Sequence, residues 1–191
     1  MAKVEVRKAR KDYPREGIKA GETYYYTKLK LQRGGQVKRS KTPFKPSQLT
    51  NSPFKSGWLA VQEAWEESGK DGEAIRAAAE ALTSLGEDTR GSFDNMPEGL
   101  QQGDTGQQLE ARADACENAA SELESLADEF EGLTEPDEEP VRDTPTDEDG
   151  EDEDESFQEA YDEWETAKDE YESEVSRIAD EADGLIGDMP E

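Results

Sequence analysis

A chain of 191 residues has room for one or two small domains, and an apolar content of 31% is too low for a single large core. The net charge of −27 hides two regions of opposite sign: residues 1–55 carry fifteen Lys/Arg against four Asp/Glu, and the remainder carries seven against forty-five. With no His and one Cys, the chain offers neither a zinc set nor an internal disulfide, which fits a reducing, cytoplasmic setting. No apolar run has the length of a signal peptide or of the ~20 residues that span a membrane, so no membrane partner is expected.

Such asymmetry marks a nucleic-acid-facing arm, an acidic interaction region, or both; the plainer alternative is a set of solvated acidic helix faces. General acidification, as in salt-adapted proteins, would not leave a basic block intact.

The basic module comes first. "ETYYYTKLKLQ" and "GQVKRSKT" read as strands on their β-favouring residues and on the alternation Lys28, Leu29, Lys30, Leu31. Gly34-Gly35 between them signals a hairpin. Upstream, "YPREGIKAGE" suggests a short strand or knuckle around Ile18. Downstream, Pro43, Pro46 and Pro53 prevent a helix from running through and imply an extended strap. Alternation places Tyr24, Tyr26, Lys28 and Lys30 on one strand face, an aromatic and basic surface of the kind that stacks bases and follows phosphates in single-stranded nucleic acid. The alternative is that the rings form the small core of a ~50-residue module that needs most of its aromatics for burial.

Trp58, Leu59, Val61, Ala64 and Trp65 then outline a short amphipathic helix that Gly69 ends. Beyond it, Ile75, Ala78, Leu82, Leu85, Thr89, Ser92 and Met96 are spaced alternately by three and four. Leu109, Arg112, Cys116, Ala119, Leu123, Leu126, Phe130 and Leu133 repeat that spacing, as do Phe157, Tyr161, Trp164, Lys168, Tyr171, Val175, Ile178, Ala182 and Leu185. Three heptad seams imply coiled-coil-like packing. Cys116 sits on a seam as a small apolar residue, and Arg112 as a residue that snorkels or sets register.

"NMPEGLQQGDTG" joins the first two seams closely enough for antiparallel neighbours. Pro97 ends the first helix, Gly99 and Gly103 permit the reversal, Leu100 covers the seam, and Asp104 or Thr105 caps the second helix. Exposed Glu98, Gln101 and Gln102 at the tip are candidate partner contacts. Glu135–Glu155 holds three Pro, one Gly and thirteen acids, and is expected to be disordered. Its "DTPTDEDGEDEDE" fails as a calcium loop, because Pro145 and Ser156 occupy ligand positions.

The expected fold is therefore α+β, mostly α. It comprises a basic β-rich module (1–55), a short docking helix (56–70) and an antiparallel helical hairpin (71–133, turn at 96–105). A disordered acidic linker (134–155) and an acidic amphipathic helix (156–186) follow, and the three long helices can form a coiled-coil bundle.

"KARKDYPREGIKAGETYYYTKLKLQRGG", "RSKTPFKPSQLTNSPF" and "FDNMPEGLQQGDTGQQLEARADACENAASELESL" resemble a family of uncharacterised proteins of tailed bacteriophages and prophages. In that family a basic β-type module precedes a helical hairpin with a Met-Pro-Glu-Gly-Leu-Gln turn. The resemblance covers residues 8 to about 130 and implies a setting in a host cytoplasm, but no activity. More weakly, the cadence around "GIKAGETYY" resembles treble-clef or poly(ADP-ribose)-polymerase-type zinc fingers, with Lys8 and Lys11 standing where a Cys pair would be. That likeness implies a finger without its metal.

No His, no nucleophile elbow and no phosphate loop are present, so no enzyme, cofactor or metal is expected. The expected function is binding of single-stranded or nicked nucleic acid by Lys8, Arg10, Lys11, Lys28, Lys30, Lys38, Arg39 and Lys41, with Tyr24 and Tyr26 stacking on bases. The acidic rod would contact a host or phage protein, or restrain the module. The alternatives are an acidic DNA mimic that inhibits a host protein, and a scaffold that oligomerises through its seams.

Overall fold

In the computed structural model, which describes residues 3–31, 34–141, 151–188 and 190, the chain is α+β and mostly helical, as its sequence leads one to expect. Strands β1 (Val4–Lys8), β2 (Thr23–Leu31) and β3 (Gly34–Ser40) form an antiparallel sheet in sequence order. The register pairs Leu31 with Gly34, so Gly34 and Gly35 are strand residues and not the centre of the turn. Between β1 and β2 the chain makes a knuckle: a 3-10 turn at Pro14–Glu16, a Tyr13–Ile18 bridge, and two left-handed glycines, Gly17 and Gly21. The strap makes a second 3-10 turn at Pro46–Leu49.

Helix α1 (Pro53–Glu66) starts with Pro53 in its first position and Ser52 accepting the Lys55 N–H, so the expected boundary at residue 55 falls inside a helix. Its Phe54, Trp58, Val61 and Trp65 repeat at four and three and are all buried. The reversal after α1 is made by Lys70, which has positive φ, and not by Gly69. Asp71 then caps α2 (Gly72–Asp94) by accepting the Ala74 N–H at 2.8 Å.

The short helix α3 (Glu98–Gln101) forms the tip, and α4 (Asp104–Gly132) returns along α2. The a/d residues Ile75, Leu82, Cys116 and Leu123 are fully enclosed. Each of the larger ones contributes ~1.5–3 kcal/mol of hydrophobic stabilisation. A second heptad series of small residues lies beside them: Gly72, Ala79 and Gly86 on α2, with Gly106, Ala113, Ala120 and Ala127 on α4, all buried. A Cβ on Gly86 would come within 3.1 Å of the Cys116 Cβ, so the helices approach as closely as small side chains permit. Arg112 lies over the Phe54 ring, 5.1 Å from its centroid.

Helix α5 (Glu151–Gly187) is about 55 Å long at ~1.5 Å per residue. Among the described residues, only its last turns enter the core, through Ile178, Ala182 and Ile186. The Trp58 indole N–H donates to the Ile186 carbonyl at 2.8 Å, as does the Gln62 amide, which satisfies a helix-end carbonyl with side chains. The Trp65 indole N–H donates to Asp183, which also accepts from Lys70 at 2.6 Å; these donors hold the Asp183 carboxyl below its usual range. The three-helix bundle expected from the seams is thus replaced by α1, α2, α4 and the end of α5. Phe157 to Val175 take no part in the core, and residues 135–139 run beside them instead. The acidic linker is shorter than expected: Glu151–Glu155 belong to α5, residues 134–141 belong to no helix or strand, and 142–150 lie outside the described residues.

At the tip, α4 begins after Gly103 with no side-chain cap, so neither Asp104 nor Thr105 acts as one. Leu100 is 56% exposed and does not cover the seam. Gly99 and Gly103 do not have positive φ; the required glycine is Gly106, where a Cβ would meet the Gln101 carbonyl oxygen at 2.1 Å. Gly106→Ala should therefore cost ~1–3 kcal/mol, read as a fall in Tm of about 2–4 °C per kcal/mol. Gly99→Ala, with nothing within 4 Å of its Cβ, should stay within about 0.5 kcal/mol of the parent. Equal Tm for both variants would contradict this tip geometry.

Candidate nucleic-acid interface

Paired strand residues share a face, so Glu5 and Arg7, Tyr24 to Lys30 at alternate positions, and Val37 and Arg39 form one surface of the sheet. Its two ends differ. At one end the knuckle folds over, and Tyr24 is buried against Ala9, Ile18 and Tyr13 with only 5% exposure. Tyr24 is therefore not available for base stacking, because a module this small spends that ring on its own core. Arg39 is drawn into the same cluster, 4.4 Å over the Tyr13 ring and 3.5 Å from the Glu16 carboxylate. Its guanidinium serves the fold before any phosphate.

At the other end, past the last β1–β2 pair at Val4 and Thr27, the sheet edge meets the strap across a groove of about 740 Å³ that takes residues from both faces, since Leu29 lies opposite Lys28 and Lys30. Tyr26, Leu29, Phe44, Pro46, Leu49 and Leu59 line it with apolar surface, and Lys3, Lys28, Lys30 and Lys55 line it with cations. Lys28, Lys30 and Lys55 make no ion pair among the described residues, whereas Lys3 has only a 3.9 Å contact with Glu5. Glu5 is itself engaged by Arg7 at 2.6 Å, and that guanidinium holds its carboxyl below the usual range. Arg7 also lies 3.6 Å over the Tyr26 ring centroid, so one face of Tyr26 is already covered by a cation. The strap is fixed by bonds from both sides. Asn51 donates to the Lys30 carbonyl, Lys38 donates to the Gln48 carbonyl at 2.8 Å, and Ser47 donates through its N–H and hydroxyl to Glu63 at 2.8 and 2.7 Å.

The expected cations thus divide into groups. Lys28 and Lys30 line the groove. Lys38 tethers the strap, Arg39 supports the knuckle, and Lys41 pairs with Glu22 at 3.3 Å. Lys8, Arg10 and Lys11 are exposed but do not line the groove; the Lys11 ammonium lies 5.9 Å from the Tyr13 ring centroid. Lys3, Phe44, Asn51 and Lys55 were missing from the sequence-derived set. Phe44 and Leu49 carried a faint signal as apolar residues set among the strap prolines, and Lys55 none.

The other expected contact, the hairpin tip, is also divided. Glu98 and Gln102 are exposed, but the Gln101 amide is turned inward and donates to the Phe93 and Met96 carbonyls at 3.2 and 3.1 Å. Gln101 is therefore a cap for the end of α2 and not a free contact. Among the described residues no group of His, Cys, Asp and Glu could hold a metal, and no helix is long and apolar enough to cross a membrane.

Comparison with protein-family models, with curated proteins and with solved structures returned no match.

Burial pushes the Cys116 thiol up to about 11 from its ordinary 9.0. A group raised in this way stabilises the fold fully below its unfolded value and loses that contribution as the pH climbs toward its folded one, here from about 9 to about 11. A disulfide thiol reagent at pH 8 should therefore modify Cys116 only after the protein is unfolded in denaturant. Rapid modification of the native chain would contradict the enclosed seam.

Proposed function

We propose that the protein binds single-stranded nucleic acid in the groove between the sheet and the strap. In this reading Lys3, Lys28, Lys30 and Lys55 follow phosphates, while Phe44 and the open side of Tyr26 meet bases. The observation that carries it is the pairing of an apolar, aromatic lining with Lys28, Lys30 and Lys55, which make no ion pair among the described residues, while Glu5 is the one carboxylate in the lining and is engaged by Arg7 and Lys3. Three arginines of the long helices are treated differently. Arg76 is paired with Asp128 and Glu131, Arg90 with Asp114 and Glu117, and Arg177 with Glu129, Glu174 and Glu181.

The sheet reaches the helices chiefly through the strap and α1, and no ion pair among the described residues joins residues 3–41 to α4 or α5. This favours a module that is open in the full chain over one restrained by the acidic helices. The setting proposed is that of a phage-type accessory protein in a host cytoplasm, without catalytic chemistry. A DNA mimic is less favoured on the hairpin, because Arg76 and Arg90 interrupt its rows of carboxylates. A scaffold built on the α2 and α4 seams is also less favoured, since those residues are buried within one chain.

A full-length chain with four phosphate contacts should bind a single-stranded oligonucleotide with a log–log salt slope of about −2.8, at about −0.7 per contact. Replacing Lys28 and Lys30 by Gln should weaken binding and flatten the slope to about −1.4. An unchanged slope would remove the groove as the site. A fragment ending near residue 70 is unsuitable for this titration, because it would expose the buried face of α1.

A further inference from the structure

The far part of α5 carries a second groove of opposite charge. Residues 135–139, on leaving α4, run beside α5 and enclose with it a space of about 610 Å³, with Trp164 and Tyr171 among its lining residues. The Trp164 indole N–H donates to the Asp137 carbonyl at 2.7 Å, which ties this segment to the helix. Trp164 also continues a row of rings, 5.7 Å from Tyr161, which is in turn 6.2 Å from Phe157. The groove already holds one cation from its own chain. The Lys168 ammonium sits 5.0 Å from the Trp164 ring centroid and 4.0 Å from the Glu172 carboxylate.

We propose that this groove binds an arginine- or lysine-bearing segment of a partner protein, and that Lys168 is an internal occupant which the incoming cation displaces. The ring face of Trp164 attracts a cation, and the carboxylates around it supply the charge that a basic segment requires. Asp137, Glu138 and Glu139 line the groove and make no ion pair among the described residues, unlike the carboxylates that Arg76, Arg90 and Arg177 occupy on the bundle. Charge selects the occupant. Residues 151–175 carry thirteen acids and one base, so the same face of a second copy, a nucleic acid or an anionic membrane would be repelled. Lys168 is 44% exposed on its side chain and can swing out without disturbing the core, to which this stretch of helix contributes nothing.

The inference goes beyond the nucleic-acid reading and does not rest on it: substitutions at Lys28 and Lys30 test one, and substitutions at Trp164 and Lys168 test the other. The probe is a fluorescein-labelled, amidated peptide of alternating arginine and alanine with five arginines, titrated into the full-length protein at fixed salt. Trp164→Leu removes the ring and leaves every charge in place; it should weaken binding about tenfold. Lys168→Met vacates the groove and should tighten binding several-fold, a gain that a misfolded chain would not give. Equal affinity of the parent and Trp164→Leu would mean that the peptide responds to general charge alone and would overturn the proposal. So would a Lys168→Met chain that binds no more tightly than the parent.

Discussion

Burial of Trp58 and Trp65 along one face of α1 is the interaction on which the rest of the molecule depends. Those rings fill the space between the hairpin and the end of α5, and their indole N–H groups fix α5 by donating to the Ile186 carbonyl and to Asp183. Glu63 of the same helix holds the strap through Ser47. Among the described residues the sheet's own core cluster is Ala9, Ile18 and Tyr24, with Tyr13 and Tyr26 beside them. A cluster of that size does not stabilise a module without disulfide or metal, so its attachment to α1 is part of its stability. The position of the basic groove follows, since one of its walls is the strap and another is the start of α1.

Charge is then sorted by where each cation can find a carboxylate. On the helices three arginines reach acids across a neighbouring element: Arg76 and Arg90 link α2 to α4, and Arg177 links α5 to α4. These exposed pairs each contribute little to stability, but they lower the repulsion between acid-rich helices. On the sheet there are too few acids to do the same, and Glu5, Glu16 and Glu22 are taken by Arg7, Arg39 and Lys41. Lys28, Lys30 and Lys55 are among the cations left without a carboxylate in the described residues, and they are the ones that line an apolar groove. At physiological ionic strength charges farther apart than ~8 Å are largely screened, so an acidic body and a basic groove can coexist on one chain.

Most of the helical architecture was legible because heptad spacing is a strong signal. Ile75, Leu82, Cys116 and Leu123 all lie where their spacing puts them. The small-residue series was not read as core, since Gly72, Gly86 and Gly106 carry no side chain to register as apolar and matter only through how closely they let backbones approach. Strand β1 escaped notice because Val4 and Val6 alternate with Glu5 and Arg7 over only five residues, and Val6 remains 63% exposed. The third seam misled for a different reason: its spacing continues through Tyr161 and Trp164, but spacing does not say whether a partner helix extends that far. At the candidate site, alternation found the face shared by Tyr26, Lys28 and Lys30. It could not separate Tyr24, which the knuckle covers, and it could not bring in Phe44 and Lys55 from the strap and α1, because that juxtaposition is tertiary.

The central claim is that the groove between the sheet and the strap is open in the full chain and receives nucleic acid there. Hydrogen–deuterium exchange of the full-length protein, with and without a saturating single-stranded oligonucleotide at low salt, addresses it directly. The account predicts added protection at residues 28–30 and 44–55 and none in α5. Protection confined to the knuckle around Lys8 to Lys11, or no change in residues 3–55, would contradict it.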